Sequence, residues 1–406
     1  VVVYEKGDQL GGTWVYDPRV ESDPLGLVSN REIVHSSLYL SLRTNIPRHF
    51  MGFSDYPFTV RENGDSRNFP RHEEVLKFLD DFARDFGLIE LIRFNTEVVR
   101  VERVDSRNEE YWDVESRTTR GLISSHEVFE AVMVCSGHHT EPRLANIPGI
   151  DKWPGKQVHS HNYRVPEPFL DQVVVMIGDG SSGLDISREI ATVAKEVHLS
   201  SRSLYAKISK LDEYYTNLWH HSKIDSVFED SKVAFEDGSS VHADTIFHCT
   251  GYNYHFPFLK TNGIVSIDDN RVGPLYKHVF PPELGPWLSF VGIPYKAMIF
   301  RMIELQSKWI AHVLSGKLLL PSKEEMLADV EQHYRHMEES GIPKHHTHLI
   351  YPNEYEYLNW LADQVGLPPL EGWLKDIYNK LFKIARILGE RFRDEWDVDK
   401  WIQEAT

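Results

Sequence analysis

Cysteine is almost absent from this sequence. Only Cys135 and Cys249 occur among 406 residues, so a disulfide framework is excluded. Each cysteine ends a predicted apolar strand and precedes Ser-Gly or Thr-Gly, in the segments 132–138 and 245–252. We expect two small packing side chains rather than a redox pair. The sequence also contains no Asn-x-Ser/Thr glycosylation signal, and both absences are typical of a reducing compartment.

Long apolar runs and positive charge are also scarce. No stretch approaches the roughly 18 consecutive apolar residues of a membrane-spanning helix. Lys and Arg number 44 against 61 Asp and Glu, and the net charge of −17 argues against a nucleic-acid partner. Hydrophobic residues (41%) and aromatic residues (12%) are as frequent as in a globular protein of two or three domains. An anionic ligand must therefore be held by local donors.

The most informative segment lies in the middle of the chain. Residues 173–177 predict a short apolar strand, and the apolar spacing in 184–193 predicts a helix. A glycine-rich turn joins them. In a dinucleotide-binding unit the first glycine permits the turn, the second lets a pyrophosphate approach the backbone, and the third lets helix and strand pack closely. We predict that a dinucleotide is bound by Gly178, Gly180, Ser181, Ser182 and Gly183.

The next predicted strand, 197–199, indicates which dinucleotide this is. Such a strand usually ends in a carboxylate that binds a ribose 2′-hydroxyl, but here it leads into Ser200, Ser201 and Arg202. A carboxylate would repel a 2′-phosphate, whereas Arg202 can pair with one and Ser201 can donate to it. The alternative for Arg202 is a solvated surface arginine. With the glycine turn beside it, we predict NADPH rather than NADH.

The N-terminal residues predict half of a second nucleotide unit. An apolar strand, 1–4, ends in Glu5 and Lys6, where an acidic residue typically binds the ribose of an adenosine. Gly11, Gly12 and Thr13 then allow a ligand to approach the backbone, and Trp14 offers a flat face. The alternative for Glu5 is a surface carboxylate. Because the sequence has no starting Met and opens inside a strand, we expect the unit's first strand and glycine turn to be missing.

Other segments show clear periodicity. Helices are predicted over 71–86 and 304–314, and 373–402 reads as an amphipathic helix. Residues 96–102 alternate as a strand does. The expected fold class is α/β, with two dinucleotide-binding, Rossmann-like domains.

Four residues just ahead of the glycine turn resemble a family signature. Trp153, Gly155, His159 and Tyr163 match Phe-x-Gly-x-x-x-His-x-x-x-Tyr/Phe of the flavin-containing monooxygenases, with Trp in place of the first Phe. The related Baeyer–Villiger monooxygenases carry Trp where this sequence has Tyr163. We expect His159 and Tyr163 to fix the segment ahead of the NADPH strand rather than to touch substrate.

Further segments carry the same resemblance. Residues 39–48 are similar to the family's Thr-Asn-x-Pro-Lys stretch, 249–259 to its Ala-Thr-Gly-Tyr region, and 304–306 to a segment beside the flavin. The spacing and the histidines of 345–348 are similar to soluble insect enzymes that form N-oxides. Those histidines could suggest a metal, but without a nearby carboxylate or cysteine we predict a solvated loop and no metal site.

The resemblance implies a domain plan and two cofactors. An FAD domain, 1–145 and 254–406, would be interrupted by a smaller NADPH domain, 146–253. Asn45 would lie near the flavin C4a atom and the nicotinamide, where a neutral amide can donate and accept hydrogen bonds without protonating anything. The implied FAD-binding residues are Glu5, Lys6, Gly11, Gly12, Thr13, Trp14, Val98 and Gln306.

The implied reaction uses NADPH and O2 to oxygenate a soft nitrogen or sulfur atom through a C4a-hydroperoxyflavin. Expected substrates are tertiary amines and sulfides. The alternatives are a Baeyer–Villiger monooxygenase and a truncated, non-catalytic protein that binds NADPH or a partner protein. A disulfide reductase is disfavoured because it needs an active cysteine pair. The expected location is the cytoplasm or the periphery of the endoplasmic reticulum, while secretion and homo-oligomer formation are left open.

Overall fold

The computed structural model of the chain describes residues 1–106, 109–119, 124–202, 208–211, 214–395 and 397–405. The fold is α/β, as predicted. The elements up to residue 142 are β1 (Val3–Tyr4), α1 (His72–Asp85), β2 (Ile92–Arg93), β3 (Thr96–Ser106), β4 (Glu109–Thr118), β5 (Ser124–Phe129), β6 (Val132–Val134) and β7 (Glu141–Pro142). The pair β1 and β2 is parallel, whereas β3, β4 and β5 form an antiparallel sheet.

The middle of the chain forms the largest sheet. Its elements are β8 (Lys156–His159), β9 (Val173–Ile177), α2 (Ser181–Ala191), β10 (Glu196–Ser200), β11 (Ser209–Lys210), β12 (Leu218–His221), β13 (Ile224–Val227), β14 (Lys232–Phe235), β15 (Ser240–His242) and β16 (Thr245–His248). The strand order is β11-β12-β10-β9-β16-β8, and every neighbouring pair is parallel except β11 with β12. All of these strands lie within the predicted segment 146–253.

The central strand β9 is buried on both faces, as a parallel strand usually is. Val174 and Met176 pack on the face covered by α2, together with Ile186 and Ile190 of that helix. Val175 packs on the opposite face, in a cluster that also contains residues of β13 and β14. The apolar run of β9 therefore fixes the position of the glycine turn that follows it.

The last part of the chain returns to the first region. It comprises β17 (Tyr252–Asn253), β18 (Leu259–Lys260), β19 (Ser266–Asp268), β20 (Arg271–Gly273), β21 (Leu288–Phe290), α3 (Ile299–Leu314), α4 (Lys323–Glu339), α5 (Glu354–Gln364), α6 (Gly372–Leu388), α7 (Phe392–Glu395) and α8 (Val398–Ala405). Strand β17 pairs with β7, β18 with β3 and β21 with β6. The chain thus leaves and re-enters the first region along neighbouring strands, β7 and β17.

The prediction of one continuous helix over 373–402 is wrong. Three helices occupy the described residues of this segment, and α6 ends at Leu388, just before Gly389, whose φ of 57° is left-handed. Phe392 of α7 is buried against Phe69 of the first region, with ring centroids 5.2 Å apart. The break lets α7 turn back onto the site described below.

Candidate cofactor-binding and active site

The turn between β9 and α2 requires glycine at two positions for different reasons. Gly178 has a φ of 102°, and a Cβ there would lie 2.6 Å from the backbone oxygen of Cys249. A Cβ on Gly183 would lie 1.8 Å from the backbone oxygen of Gly178. Gly180 differs, since a Cβ would meet none of the described residues within 4 Å. The turn is therefore tightly packed on its inner side and open toward solvent at Gly180.

The open side of the turn is the N-terminus of α2. Gly180 is the N-cap. Within the part of the chain that the structure describes, no side chain caps the helix, and its first turn contains no acidic residue. Ser181 and Ser182 are exposed. The first backbone N–H groups of a helix have no partner within it and favour a bound anion. These residues fit a pyrophosphate, as the sequence predicts.

Arg202 is exposed just beyond β10, where a 2′-phosphate can reach it. Ser201 beside it is buried, and its hydroxyl lies 3.0 Å from His220 Nε2. Burial, with a smaller influence of neighbouring groups that include Arg202, lowers the pKa of His346. Arg202 is thus better placed than Ser201 to contact a phosphate.

The predicted N-terminal nucleotide site is packed less tightly than the turn 178–183. Gly11 has a φ of 118°, and a Cβ there would meet the end of the Leu76 side chain at 2.3 Å. Gly12 and Thr13 are exposed, and Trp14 lies partly buried against the cluster that α1 forms. These features leave the backbone at Gly12 accessible to a ligand.

The charged residues of this site are held by their neighbours. Glu5 follows β1 and accepts a hydrogen bond from the backbone N–H of Gly7 at 2.6 Å. Lys6 forms a 2.8 Å ion pair with Glu97. Val98, next to that glutamate, is partly buried at an irregular point in the pairing of β3 with β4. Glu5, Lys6 and Val98 therefore lie together at the carboxyl ends of β1 and β2.

Asn45 contacts the predicted NADPH turn from the segment 39–48. Its Nδ2 donates to Ser181 Oγ at 3.2 Å, at the first residue of α2, and its side chain is exposed. The neighbouring Thr44 hydroxyl is buried and has no hydrogen-bond partner among the described residues. The segment that the sequence assigns to the flavin thus reaches the turn assigned to NADPH.

Gln306 is less accessible than its predicted role requires. It is fully buried in α3, where its Oε1 accepts from the backbone N–H of Gly292 at 3.0 Å. Its Nε2 donates to the Tyr357 hydroxyl at 2.9 Å. Both ends of the amide are thus hydrogen-bonded within the protein, and Gln306 stabilises the turn at Gly292.

The four signature residues hold the segment ahead of β9. Trp153 is buried, and a Cβ on Gly155 would come within 2.2 Å of its ring. His159 is fully buried; its Nδ1 accepts from the backbone N–H of His161 at 3.1 Å, so its Nε2 donates to Gly251 O at 3.0 Å. Tyr163 is buried against Tyr39. They contact the crossing between the regions rather than an open site.

A buried ionic network beside His159 was missed from the sequence. Glu21 accepts from His161 Nε2 at 3.1 Å and from Arg31 Nε at 2.7 Å, and Arg31 also pairs with Glu141 of β7 at 3.1 Å. Burial alone would raise the pKa of Glu21, but the bonds from His161 and Arg31 outweigh it and lower that pKa. The only signal in the sequence is the polarity of 159–164, which does not identify partners about 140 residues away.

The histidine segment 345–348 is not the solvated loop that we predicted. His348 is 1% exposed, because its Nε2 accepts from the backbone N–H of Val272 at 3.0 Å and its ring packs against Tyr254. Within the part of the chain that the structure describes, no group of three His, Cys, Asp or Glu residues could hold a metal ion. Both cysteines are free thiols. Among the same residues, no helix is both long and apolar enough to cross a bilayer.

Known proteins are similar to this chain along its whole length. The family model described as flavin-binding monooxygenase-like matches residues 1–224 and 215–376. Flavin-containing monooxygenase FMO GS-OX5 of Arabidopsis thaliana is 54% identical over 410 residues, which cover 100% of this chain and 88% of that protein. FMO GS-OX-like 2 of the same plant is 54% identical over 411 residues, with the same coverage.

Solved structures agree with these relatives. S-allyl-L-cysteine S-oxygenase from Allium sativum superposes with a TM-score of 0.95 at 53% identity, covering 100% of this chain and 91% of that one. Cyclohexanone monooxygenase from Rhodococcus sp. Phi1, bound to NADP+, gives a TM-score of 0.58 at 14% identity, covering 96% of this chain and 93% of that one, and shows only a similar fold. The relatives from Arabidopsis thaliana and Allium sativum lend no support to the predicted likeness to insect enzymes.

Proposed function

Because the chain belongs to the flavin-binding monooxygenase family, we propose that it oxygenates the thioether sulfur of small S-substituted cysteine derivatives. It is an NADPH- and O2-dependent flavin monooxygenase that acts on soft nitrogen or sulfur atoms. The choice of sulfur rests on the 53% identity to an S-allyl-L-cysteine S-oxygenase over the whole chain. The reaction is R–S–R′ + O2 + NADPH + H+ → R–S(=O)–R′ + NADP+ + H2O.

The observation that carries the mechanism is the contact between Asn45 and Ser181. It brings a neutral amide to the N-terminal end of α2, where the open turn at Gly180 faces solvent. FAD, when bound and reduced by NADPH, supplies the oxygenating chemistry. An amide beside it can orient the nicotinamide by one donated and one accepted bond, and it cannot act as an acid. We assign Asn45 the catalytic position on this basis.

The remaining residues bind and orient the cofactors. The N–H groups at the start of α2 would bind the pyrophosphate of NADPH, and Arg202 would pair with its 2′-phosphate. The accessible backbone at Gly12 and the carboxylate of Glu5 would bind FAD. Since the protein carries a net charge of −17, these few donors must outweigh an unfavourable overall field.

The structure offers no separate support for a Baeyer–Villiger activity. Tyr163, which differs from the Trp of those enzymes, is buried in packing contacts with Tyr39 and Phe247 and does not face an open site. Similarity to the cyclohexanone enzyme is limited to the fold. The reason to prefer sulfur oxygenation over a Baeyer–Villiger reaction is therefore the similarity to the S-oxygenase over the whole chain.

The test is to purify the chain and record its visible spectrum before and after adding NADPH in air. We expect flavin absorbance, and we expect S-allyl-L-cysteine to accelerate NADPH oxidation and to gain one oxygen atom by mass spectrometry. A tertiary amine and cyclohexanone serve as competing substrates. Oxidation of only the amine or the ketone would overturn the choice of sulfur. A colourless protein that still binds NADPH would instead favour the non-catalytic alternative.

A further inference from the structure

The short helix α7 contacts both nucleotide-binding regions through one side chain. Arg393 forms a bidentate ion pair with Asp185 of α2, with Nη1–Oδ1 and Nη2–Oδ2 distances of 3.1 and 2.6 Å. Its Nε donates to the backbone oxygen of Thr44 at 3.0 Å. The two charged side chains are only 8% and 17% exposed. Arg393 thus holds α2 and the residue before Asn45 at the same time.

The segment 39–45 adds three hydrogen bonds to the same face of α2. Tyr39 donates to Asp185 at 3.1 Å, Ser41 donates to Glu189 at 2.8 Å, and the third is the Asn45 bond to Ser181. The acceptors at 181, 185 and 189 are four residues apart and therefore lie one above another along the helix. We call this set of contacts, made by α2, residues 39–45 and Arg393, the α2 junction.

The charges of the α2 junction explain why an arginine is needed there. Asp185 lies one turn into α2, close to the end where a pyrophosphate would bind, so its unpaired charge would repel that anion. Burial, with the nearby carboxylate of Asp185, raises the pKa of Tyr39 well above its usual value, which keeps its hydroxyl a donor. A guanidinium fork neutralises Asp185 and fixes its orientation, which a lysine cannot do in the same geometry.

We infer that Arg393 is a positioning residue that sets Asn45 against the N-terminal turn of α2 and so keeps NADP+ in place while oxygen is transferred. The inference rests on the proposed function, because it concerns the same site. Arg393 touches neither cofactor nor substrate in this role. Without it, Asn45 and the turn would separate, NADP+ would be released early, and oxygen would be lost as hydrogen peroxide instead of reaching the sulfur.

The first experiment measures the α2 junction without cofactor. Hydrogen exchange is followed in peptides that cover 39–46 and 180–190, in the wild type and in Arg393→Gln. We expect exchange in both peptides to accelerate about tenfold, since removal of one partner leaves a poorly solvated charge behind. Arg84→Gln is the matched control, because Arg84 also forms a two-bond pair with an aspartate, Asp80, but within the single helix α1.

The second experiment measures cofactor retention. In Arg393→Gln we expect the Kd for NADP+ to rise about tenfold and the hydrogen peroxide formed per NADPH to increase, while NADPH is still oxidised. Arg393→Lys should recover only part of the coupling. The double variant, Asp185→Asn with Arg393→Gln, should recover part of the NADP+ affinity that Arg393→Gln loses, because no unpaired charge remains beside the pyrophosphate. A general loss of folding would not produce this recovery.

The outcomes separate the two proposals. If the wild type contains flavin and forms sulfoxide but Arg393→Gln keeps its exchange rates, its Kd for NADP+ and its coupling, the role of Arg393 is refuted while the proposed function stands. If the wild type oxidises no sulfide but Arg393→Gln loosens both peptides and weakens NADP+ binding, the α2 junction is supported and the choice of substrate fails.

Discussion

The two predicted nucleotide sites are built differently, although both use glycine next to a strand. In the turn 178–183, the inner glycines face backbone oxygens of Cys249 and Gly178, which cannot move without displacing a strand. In the segment 11–14, Gly11 faces the side chains of Leu76 and Val15, and Gly12 faces none of the described residues. The turn 178–183 is thus held by backbone atoms, whereas the segment 11–14 is held by side chains that can adjust.

The largest effect is expected from Gly183→Ala. Its Cβ would lie 1.8 Å from a backbone oxygen, so β9 and α2 would have to separate. We expect a loss of about 3 kcal/mol in the free energy of unfolding, at the upper end for overpacking. NADPH binding should be abolished. Denaturant unfolding and calorimetric titration with NADPH measure the two effects.

Gly12→Ala is the matched change in the other site. Its φ of 51° costs a side chain about 1 kcal/mol, but the added methyl group would lie more than 4 Å from every neighbour that the structure describes. We expect a small loss of stability and unchanged NADPH binding. Equal damage from both substitutions would contradict the difference between the two sites.

Arg202→Ala should change cofactor choice without damaging the turn. Loss of a charge-assisted pair with the 2′-phosphate should weaken NADPH binding about ten- to hundredfold and leave NADH binding unchanged. Flavin content should stay at the wild-type level, since Arg202 is remote in the chain from the N-terminal site. Equal losses for NADPH and NADH in titrations would show that Arg202 does not read the 2′-phosphate.

The smallest effect at neutral pH is expected at His159, which contacts Gly251 where the chain crosses between the regions. Burial lowers its pKa to about 3. Because the folded pKa lies below the usual value near 6.5, the neutral form is favoured on folding, and its stability is present above about pH 6.5 and is lost as pH falls. Between pH 8 and pH 5 we expect His159 to contribute a loss of about 2 kcal/mol.

This pH effect can be isolated with His159→Gln. Glutamine does not titrate, and its amide can donate to the Gly251 oxygen. The variant should therefore lose less stability between pH 8 and pH 5 than the wild type does, as measured by urea unfolding at each pH. An unchanged pH dependence would assign the acid sensitivity to other buried histidines, such as His348.

The sequence predicted those parts of the site whose chemistry is local. Gly178 and Gly183 act on each other across five residues, so their spacing alone indicates the turn, and Arg202 follows directly from its strand. Asn45 was identified only by resemblance, since its partner Ser181 is 136 residues away. The roles of individual site residues stay predictions until they are tested.

The parts that sequence reasoning missed depend on long-range packing. Arg393 and Asp185 are 208 residues apart, and each reads as an ordinary charged residue on an amphipathic helix. The burial of His348 depends on β20, which no periodicity in 345–348 reveals. Gln306 lies in a correctly predicted helix, but only the fold shows that its amide points into the protein.

The acceptors on α2 are spaced four residues apart, and this spacing restricts how the helix can move. A helix turns by about 100° per residue, so a rotation of α2 by a single residue would carry Ser181, Asp185 and Glu189 away from their donors together. At an intermediate rotation of α2, the three donors of 39–45 would face no second set of three acceptors with the same spacing. Motion between α2 and residues 39–45 should accordingly be stepwise rather than graded, with the α2 junction either fully engaged or fully disengaged.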